Sequence, residues 1–414
     1  MSLFLVGGFF MQKKKILFVS VNRHQKNYFS QIGEHLSKEY DIFYFHYNVS
    51  YYRDMLLPVS ESALPSSLTT ESIDRSIYFS FKKGQIRKFT GLRGYLHKEA
   101  TLRRIAKHVF TRIWNYLQSN HIDMVCVWNG NTVERATAIE AAKAYGAKTC
   151  FFENGLLPNT TTLDPKGVNA AGILAEKTAD FFRDLPIDRS KLDALLTEEP
   201  PIRAQKKKWY QKKKASPSIA EETPDLDTPY LFVPFQVHDD TQIILHSPYI
   251  RNMAELTEWV AAAVRQYNES NQKKLRIIIK EHPSDNGRCN YDDLRIQYPD
   301  ITFLKTGSTK QLISKATAVI TVNSTVGMEA LLQHKHVITL GNATYAIDGI
   351  AARACSIPEL IDAISHSDTE CNVDLIDKFL YYIRYQYSIE GSWRNPTDEH
   401  FKSIMERITE ILND

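Results

Sequence analysis

The 414-residue sequence predicts an α/β protein of two doubly wound domains. Apolar strand-like runs alternate with helical segments in both halves of the chain, which is the pattern of parallel sheets covered by helices. The length suits two domains of about 200 residues each. Between about Pro200 and Pro229 the composition changes to Lys, Pro, Ser, Glu and Thr without apolar periodicity, so we place the domain boundary there.

The first half begins with a strand–helix unit. The run KKKILFVSV (residues 13–21) reads as a strand, about 27–38 as a helix, and DIFYFHY (41–47) as the next strand. A long Tyr- and Ser-rich region leads to a helical pattern at about 100–118. The runs HIDMVCVW, AAKAY and AKTCFF then continue the alternation. We therefore predict an N-terminal Rossmann-like, acceptor-side domain over residues 1–200.

The second half repeats this alternation after a predicted basic and polar linker at 201–228. The strand-like runs are YLFVPF, LRIIIKEHP, ITFLKTG, ATAVITVNST and HVITLGN. They predict a second Rossmann-like domain, the nucleotide-sugar side, over 229–385. Two amphipathic helices follow, in VDLIDKFLYYIRYQYSIEG and TDEHFKSIMERITEIL. We expect residues 386–414 to pack back on the N-terminal domain.

The composition predicts a globular protein of the cytoplasm. Hydrophobic residues make up 43% and charged residues 24% of the chain, which suffices for a sizeable core. The five cysteines are scattered without CxxC spacing, which favours reduced thiols. The apolar start is short and has its charges after it, the reverse of a signal peptide. We expect no membrane span. Met11 is a second candidate for the natural first residue, in which case residues 1–10 are an extension of the natural sequence.

The basic residues are unevenly distributed, although the net charge is only +3. Six lysines crowd into RAQKKKWYQKKKAS, Arg203 to Ser216. This segment is either a solvated linker face or a contact for anionic headgroups at the inner membrane surface. We expect no nucleic-acid partner.

Polar residues follow several strand-like runs, at the edge where open α/β sheets bind ligands. Glu153 ends the run FFENG and is a candidate general acid or base, or a carboxylate that stabilises a turn. Asn169, in the GVN triplet, is a ligand contact or a turn residue. In FVPFQVHDDTQI, Asp239 and Asp240 are adjacent, and neighbours on an extended chain point in different directions. We therefore expect one of these two carboxylates in the cleft and no metal.

Two further segments suit a phosphate group. Lys280 and His282, in LRIIIKEHPSDNG, offer a fixed cation and a donor. In ATAVITVNSTVGMEALL, hydroxyls and N–H groups at a helix start form a phosphate site or an ordinary N-cap. The residues concerned are Asn323, Ser324, Thr325 and Gly327. The DLD at 225–227 resembles a metal-binding DxD motif, but its linker composition argues against a metal site.

Several motifs of other enzyme classes are absent from the sequence. It has no GxxxxGK[ST], GxSxG, HExxH, GxGxxG or paired CxxC. Their absence argues against P-loop, α/β-hydrolase, zincin, nicotinamide and zinc-ribbon chemistry.

Taken in order, ENG…GVNA, PFQVHDDTQI, IIKEHPSD, TVNSTVGMEALL and LGNATY…DG resemble the bacterial capsule-polysaccharide synthesis family of retaining β-Kdo transferases. The resemblance spans about Phe151 to Gly349. It implies a GT-B-like fold, with two Rossmann-like domains, a cleft between them and C-terminal crossing helices. It also implies a metal-independent glycosyltransferase that needs no cofactor. Such an enzyme moves Kdo (3-deoxy-D-manno-octulosonic acid) from CMP-β-Kdo to a glycan or lipid-linked acceptor in capsule, O-antigen or related surface-polysaccharide synthesis.

The same resemblance implies a role for each candidate residue. Asp240 would attack the anomeric carbon and form a covalent adduct. Glu153 would be the acid/base for the acceptor hydroxyl, and His282 would assist departure of the CMP phosphate. The predicted donor-binding residues are Lys280, Asn323, Ser324, Thr325, Gly327, Gln242 and Asn169.

Two departures from the family pattern leave the acceptor and the linkage open. Glu281 stands where many relatives have a basic residue or histidine, and His336 stands where proline is common. The His-Pro and Asn-Ser-Thr motifs also resemble the CMP-binding motifs of bacterial sialyltransferases, so CMP-sialic acid is a second candidate donor. A GT-B enzyme that uses a UDP sugar, such as an epimerase, would also fit the predicted fold, as would a non-catalytic capsule-assembly protein.

Overall fold

The computed structural model describes residues 13–48, 53–55, 57–198, 224–285 and 289–414. Most of the predicted linker, including the lysine cluster at 206–214, and the first twelve residues lie outside these ranges. The chain forms two compact units. The first contains the described residues of Met1–Glu153, Leu163–Val168 and Gly391–Asp414, and the second those of Asn154–Thr162 and Asn169–Glu390.

The first unit is built on a parallel sheet. Its strands β1 (Lys15–Ser20), β2 (Asp41–His46), β3 (Met124–Trp128) and β4 (Lys148–Asn154) are parallel and lie in the order β4-β3-β1-β2. The next strand, β5 (Thr160–Asp164), lies beside β4, and the division between the two units falls within β5. The helices between them are α1 (Arg23–Leu36), α2 (Thr70–Arg87), α3 (Gly91–Leu96), α4 (Glu99–Asn120) and α5 (Val133–Tyr145). The strand β2 lies on one side of β1, whereas β3 and β4 follow on the other side. The sheet is therefore doubly wound.

The central strands β1 and β3 are apolar because helices cover both faces of the sheet. Four consecutive residues of β1, Ile16 to Val19, are fully buried. The helices α1 and α2 begin at residues whose side chains satisfy free N–H groups of the first turn. The Asn22 side chain accepts from Gln25 N–H at the start of α1, and Thr69 and Ser72 form a capping box at the start of α2.

The second unit contains a second parallel sheet. Its strands are β6 (Tyr230–Pro234), β7 (Arg276–Lys280), β8 (Thr302–Leu304), β9 (Ala318–Thr321), β10 (His336–Thr339) and β11 (Ala352–Arg353). Their order is β11-β10-β9-β6-β7-β8, and the paired strands are parallel. The chain therefore reverses between β6 and β9. Both units are doubly wound α/β folds, and the predicted fold class is confirmed.

Helices surround the second sheet. In chain order they are α6 (Ala179–Arg183), α7 (Arg189–Thr197), α8 (Thr241–His246), α9 (Met253–Asn271), α10 (Asp292–Gln297), α11 (Thr309–Lys315), α12 (Val326–Leu331), α13 (Ile357–Ser365) and α14 (Val373–Tyr382). The strand β12 (Ser388–Glu390) then pairs antiparallel with Thr160–Thr162 of β5.

The second unit begins earlier in the chain than the sequence indicates. The predicted N-terminal domain runs to residue 200, but α6 and α7 lie in the second unit. Their apolar side chains join the core around α14, where the rings of Phe182 and Phe379 are 5.4 Å apart and Leu195 is buried. Packing between segments almost 200 residues apart decides this division, and no local sequence signal marks it.

The chain returns to the first unit at Gly391 and ends in α15 (Asp398–Asn413). This helix packs on α1, where the hydroxyl of Tyr28 and Nε2 of His400 are 2.7 Å apart. Lys148 Nζ also donates to the carbonyl oxygen of Ile411 at 3.0 Å. None of the helices in the described part of the chain combines the length and apolarity needed to cross a bilayer.

Candidate functional site

The candidate site lies at the switch point of the second sheet, where β6 and β9 are neighbours. Ligands of open α/β sheets bind outside the carboxyl ends of the strands at such a point. The loop after β6 (235–240) and the loop after β9 (322–325) both start there. The end of β7, which pairs with β6 on its other side, adds Lys280 and His282 to the same edge.

The side chains of Gln236 and Asn323 connect the two switch-point loops. Gln236 Nε2 donates to Asn323 Oδ1 at 3.0 Å, and the Asn323 main-chain N–H donates to Gln236 Oε1 at 3.1 Å. Asn323 Nδ2 also donates to the carbonyl oxygens of Gln242 and His246, at 2.9 and 3.2 Å. Both side chains are buried. We call this group the Gln236–Asn323 network.

This network gives Asn323 a positioning function. Its side-chain amide makes hydrogen bonds to protein groups on both ends, so it holds the loop around Ser324, and its predicted contact with a donor stays a prediction. Gln236 is absent from the residues predicted from the sequence. The signal for it was a glutamine directly after a buried apolar run, where a polar side chain needs internal partners.

The two adjacent carboxylates after β6 occupy different environments. Asp239 is 2% exposed, whereas Asp240 is exposed at the start of α8. The hydroxyl of Thr241 donates to Asp240 Oδ1 at 2.9 Å. The side-chain oxygen of Gln242 is buried and accepts no hydrogen bond from the described residues. Of the two carboxylates, Asp240 is therefore the one that solvent reaches.

The end of β7 presents a cation and an imidazole. Lys280 is half-buried, its Nζ donates to Thr309 Oγ1 at 2.7 Å, and burial lowers the pKa of its ammonium group. His282 Nδ1 accepts from the N–H of Ser284 at 3.0 Å. A neutral ring that accepts at Nδ1 carries its proton on Nε2, which makes Nε2 a donor suited to a phosphate oxygen.

Glu281, one of the departures from the family pattern, forms an ion pair with Arg295. The guanidinium of Arg295 lies over the ring of Phe303, 5.4 Å from its centroid. Glu281 therefore neutralises a cation on α10. Because its carboxylate is paired with Arg295, Glu281 does not add a free negative charge to the predicted donor-binding residues.

The loop after β9 supplies hydroxyl groups. Ser324 Oγ accepts from the N–H of Val326 at 3.2 Å, and Thr325 is exposed at the start of α12. Gly327 is buried, and a Cβ at this position would overlap the hydroxyl of Tyr345, which donates to the Ser324 carbonyl oxygen. The structure therefore gives Gly327 a packing function that fixes the loop, because no larger residue fits against Tyr345.

Glu153 lies in the first unit, at the carboxyl end of β4. Asn129 Nδ2 donates to Glu153 Oε2 and orients the carboxylate. Asn129 and Gly130 form a tight turn after β3 with φ values of 65° and 79°. A Cβ on Gly130 would lie 2.7 Å from the Phe151 ring, so glycine is required. This WNGN turn is absent from the sequence-based predictions, although an Asn-Gly pair after an apolar run indicates one.

The other residues predicted from the sequence take part in turns and surface ion pairs. Asn169 is half-buried and has a φ of 56°. It begins a short turn in which its carbonyl oxygen accepts from the N–H of Gly172 at 3.0 Å. In the DLD segment, Asp225 accepts from the Thr228 hydroxyl at 2.6 Å and Asp227 pairs with Lys315 at 2.8 Å. Across the described ranges, no group of three or more His, Cys, Asp or Glu residues is arranged to hold a metal ion.

The imidazole of His246 is buried, and its main-chain carbonyl belongs to the Gln236–Asn323 network. We therefore expect stability against unfolding to depend on pH through this residue. Burial lowers the pKa of its imidazole, so the unfolded chain binds a proton that the folded chain resists. The contribution of His246 to the free energy of unfolding is therefore fully present above about pH 6.5 and is lost as the pH drops below that value. In urea unfolding between pH 5 and 8, His246→Gln should flatten this slope. His24→Gln, at an exposed position, is the control, and equal slopes in both variants would contradict the assignment.

Comparisons with known proteins support the motif-based assignment. Residues 199–391 match the family described as capsule polysaccharide biosynthesis protein. Protein FixF of Sinorhizobium fredii is 31% identical over 293 residues, which cover 70% of this chain and 65% of FixF. The capsule polysaccharide export protein KpsS of Escherichia coli is 27% identical over 258 residues, covering 50% of this chain and 64% of KpsS. The chain thus spans just under two thirds of these relatives' lengths.

Solved structures with a similar fold share little sequence with this chain. The Thermosulfurimonas dismutans KpsC beta Kdo 2,7 transferase aligns with a TM-score of 0.46 at 18% identity, over 72% of this chain and 88% of that chain. The Methanocaldococcus jannaschii UDP-GlcNAc 2-epimerase aligns with a TM-score of 0.35 at 13% identity, over 90% and 99%. The resemblance to a capsule polysaccharide biosynthesis family that the motifs predicted is confirmed by the sequence match over residues 199–391.

Proposed function

We propose that this chain is a glycosyltransferase that moves Kdo from CMP-β-Kdo, with retention of configuration, to a glycan or lipid-linked acceptor of a bacterial surface polysaccharide. The observation that carries the proposal is the exposed Asp240 at the switch point of a capsule-family domain, next to the strand end that bears Lys280 and His282. One presented carboxylate beside a cation and a donor is the arrangement that a covalent transfer from an anionic donor requires.

The negative charge of the proposed donor explains why few carboxylate side chains are expected in its binding site. Kdo carries a carboxylate next to its anomeric carbon, and CMP adds a phosphate, so the bound donor has two negative charges. Lys280 Nζ and the Nε2–H of His282 supply charge-assisted hydrogen bonds to these oxygens. The hydroxyls of Ser324 and Thr325 add neutral donors. The second carboxylate, Asp239, is buried, which leaves Asp240 as the exposed carboxylate of the pair.

In the proposed first step, an Asp240 oxygen forms a bond to the anomeric carbon while the bond from that carbon to the phosphate oxygen breaks. CMP leaves with the electron pair, and His282 donates to the leaving oxygen. In the second step the acceptor hydroxyl gives its proton to Glu153, and its oxygen displaces the Asp240 carboxylate. Each displacement inverts the anomeric carbon, so the product keeps the β configuration. The proposal includes no metal or other cofactor.

Intact-protein mass spectrometry after mixing the chain with freshly generated CMP-Kdo tests the donor and the mechanism together. We expect a mass gain of one Kdo unit and release of CMP. Release of CMP onto an added acceptor without an adduct would keep the donor and reject Asp240 as the nucleophile. If CMP-Kdo stays intact while CMP-sialic acid or a UDP sugar is consumed, the proposed donor is wrong.

Lys280 gives a separate prediction about donor binding. Lys280→Met should weaken CMP binding roughly tenfold to a hundredfold, because a hydrogen bond from a charged group is worth about 1.5–3 kcal/mol. Since burial lowers the pKa of Lys280, wild-type affinity should begin to fall at a lower pH than an exposed lysine, with its pKa of about 10.4, would produce. Calorimetric titration with CMP from pH 7 to 10 measures both effects.

The controls for this prediction are one conservative and one remote substitution. Lys280→Arg should keep CMP affinity to higher pH, because the guanidinium stays charged. Lys274→Met removes an exposed lysine that precedes β7, at the opposite end of the strand from Lys280, and should leave binding unchanged. Wild-type affinity in Lys280→Met would show that this ammonium group does not contact the nucleotide phosphate.

A further inference from the structure

The end of α2, the short helix α3 and the start of α4 form a strongly basic surface of the first unit. Residues 78–107, which we call the basic hairpin, contain nine lysines and arginines and one carboxylate, that of Glu99. Glu99 is 2.8 Å from the guanidinium of Arg103. The chain as a whole is almost neutral, with a formal net charge of +3. This segment therefore concentrates positive charge on one part of one unit.

Large apolar side chains are exposed within the same segment. Tyr78, Ile86, Leu92 and Tyr95 are 46%, 38%, 69% and 40% exposed. Single exposed apolar residues are common, but a group of them between cations is the composition of surfaces that enter the headgroup region of a bilayer. A soluble polyanion would neutralise the cations, but it would not remove Leu92 from water. The combination therefore favours a lipid surface.

The tip of the hairpin has a fixed shape. Lys88 and Gly91 have φ values of 47° and 58°, which reverse the chain between α2 and α3. A Cβ on Gly94 would overlap the carbonyl oxygen of Phe89, so α3 lies directly against this turn. The guanidinium of Arg93 is 5.8 Å from the centroid of the Phe89 ring. The structure thus presents Leu92 and Tyr95 on a short, closely packed helix.

The length of α4 places this tip beyond the ligand-binding edge of the first sheet. The last residue of α4, Asn120, accepts from Lys15 Nζ at 2.9 Å, and Lys15 begins β1. The 22 residues of α4 span about 33 Å, whereas the five residues of β3, which follow it in the opposite direction, span about 17 Å. The start of α4 therefore extends roughly 15 Å past the edge where Glu153 lies.

We propose that the basic hairpin binds the surface of an anionic bilayer, with Leu92 and Tyr95 in the interfacial layer and the exposed Lys88, Arg93 and Lys98 at lipid phosphates. This contact would hold the acceptor-side edge of the first sheet next to the membrane. It extends the proposed function and rests on the lipid-linked acceptor as the one used. Binding to vesicles is measured without donor or acceptor, so its failure and a failure of Kdo transfer are separate results.

Co-sedimentation of the full chain with vesicles tests the proposal. The probes are phosphatidylcholine vesicles with and without phosphatidylglycerol, at low and high salt. We expect binding to the anionic vesicles at low salt and a loss at high salt. Arg93→Gln/Lys98→Gln should weaken the partition about thirtyfold, since each cation near an anionic surface contributes about 1 kcal/mol. Leu92→Ser/Tyr95→Ser should weaken it at least about tenfold, because the apolar side chains then stay in water.

Matched substitutions elsewhere provide the controls. Lys274→Gln/Lys310→Gln removes two exposed lysines, and Ile296→Ser removes an apolar side chain that is 80% exposed. These variants should bind vesicles as the wild type does, and all variants should keep the wild-type unfolding midpoint. Equal weakening in the controls, or no wild-type binding at low salt, would overturn the proposal. So would binding that survives both hairpin variants but is lost when Lys206, Lys207 and Lys208 are replaced by glutamine.

A soluble polyanion is the competing partner. If heparin binding is weakened by Arg93→Gln/Lys98→Gln while Leu92→Ser/Tyr95→Ser leaves vesicle binding unchanged, the hairpin recognises charge alone and the bilayer assignment is wrong. Loss of vesicle binding in Leu92→Ser/Tyr95→Ser with heparin binding intact would support the bilayer.

Discussion

Replacing Asp240 by alanine is expected to lower the rate of Kdo transfer by at least about a thousandfold and to remove the covalent adduct from the mass spectrum. The proposed reaction has one nucleophile, and loss of a nucleophile generally leaves only the rate that binding and charge stabilisation provide. Asp240→Asn should have nearly the same effect, because an amide keeps the shape of the side chain without the charged oxygen. Transfer to an added acceptor and intact mass are the two measurements.

The neighbouring carboxylate offers a matched control. Asp239→Asn changes the same functional group one residue earlier in the chain, at a position that is 2% exposed. We expect this variant to keep the adduct, with any loss visible in the free energy of unfolding. An adduct that persists in Asp240→Asn and disappears in Asp239→Asn would reverse the assignment of the two residues. CMP binding should be retained in both variants, which separates loss of chemistry from loss of the donor site.

The second large effect is expected from Asn323→Ala, which disrupts the Gln236–Asn323 network. The variant leaves Gln236 Nε2 without its acceptor and removes a donor from the carbonyl oxygens of Gln242 and His246. A buried polar group without a partner costs about 1–3 kcal/mol, so we expect the second unit to lose about 3 kcal/mol of unfolding free energy. Because the loop with Ser324 is no longer fixed, CMP affinity should fall as well.

Urea unfolding, together with CMP titration, measures both consequences. Asn342→Ala is the control, since that side chain accepts a hydrogen bond only from exposed Arg353 among the described residues, and we expect a loss below about 1 kcal/mol. A double-mutant cycle with Gln236→Ala should give a coupling energy of about 1–3 kcal/mol. Additive effects would show that the two loops are held independently and would remove the basis for a positioning function.

The sequence alone determined the alternation of strands and helices and the ends of the strands. Runs such as RIIIK are apolar because both faces of a parallel sheet are covered, and a polar residue after such a run marks the edge that binds ligands. This is why Asp240, Lys280 and Ser324 were predicted at one edge of the second sheet without a structure. The ordered motifs at these edges also identified the family, because short segments at fixed structural positions remain recognisable at low identity.

The tertiary structure decided which of these polar residues face solvent and which hold the loops. The period of a strand does not extend into the loop after it, so the strand pattern could not distinguish the exposed Asp240 from the buried Asp239, and the choice of Asp240 came from the family resemblance. Gln236 and Asn323 are 87 residues apart, and only the adjacency of β6 and β9 makes them partners. Likewise, α6 and α7 belong to the second unit because their apolar side chains pack on α14. Burial and pairing arise from contacts between distant segments, and local patterns carry no information about those contacts.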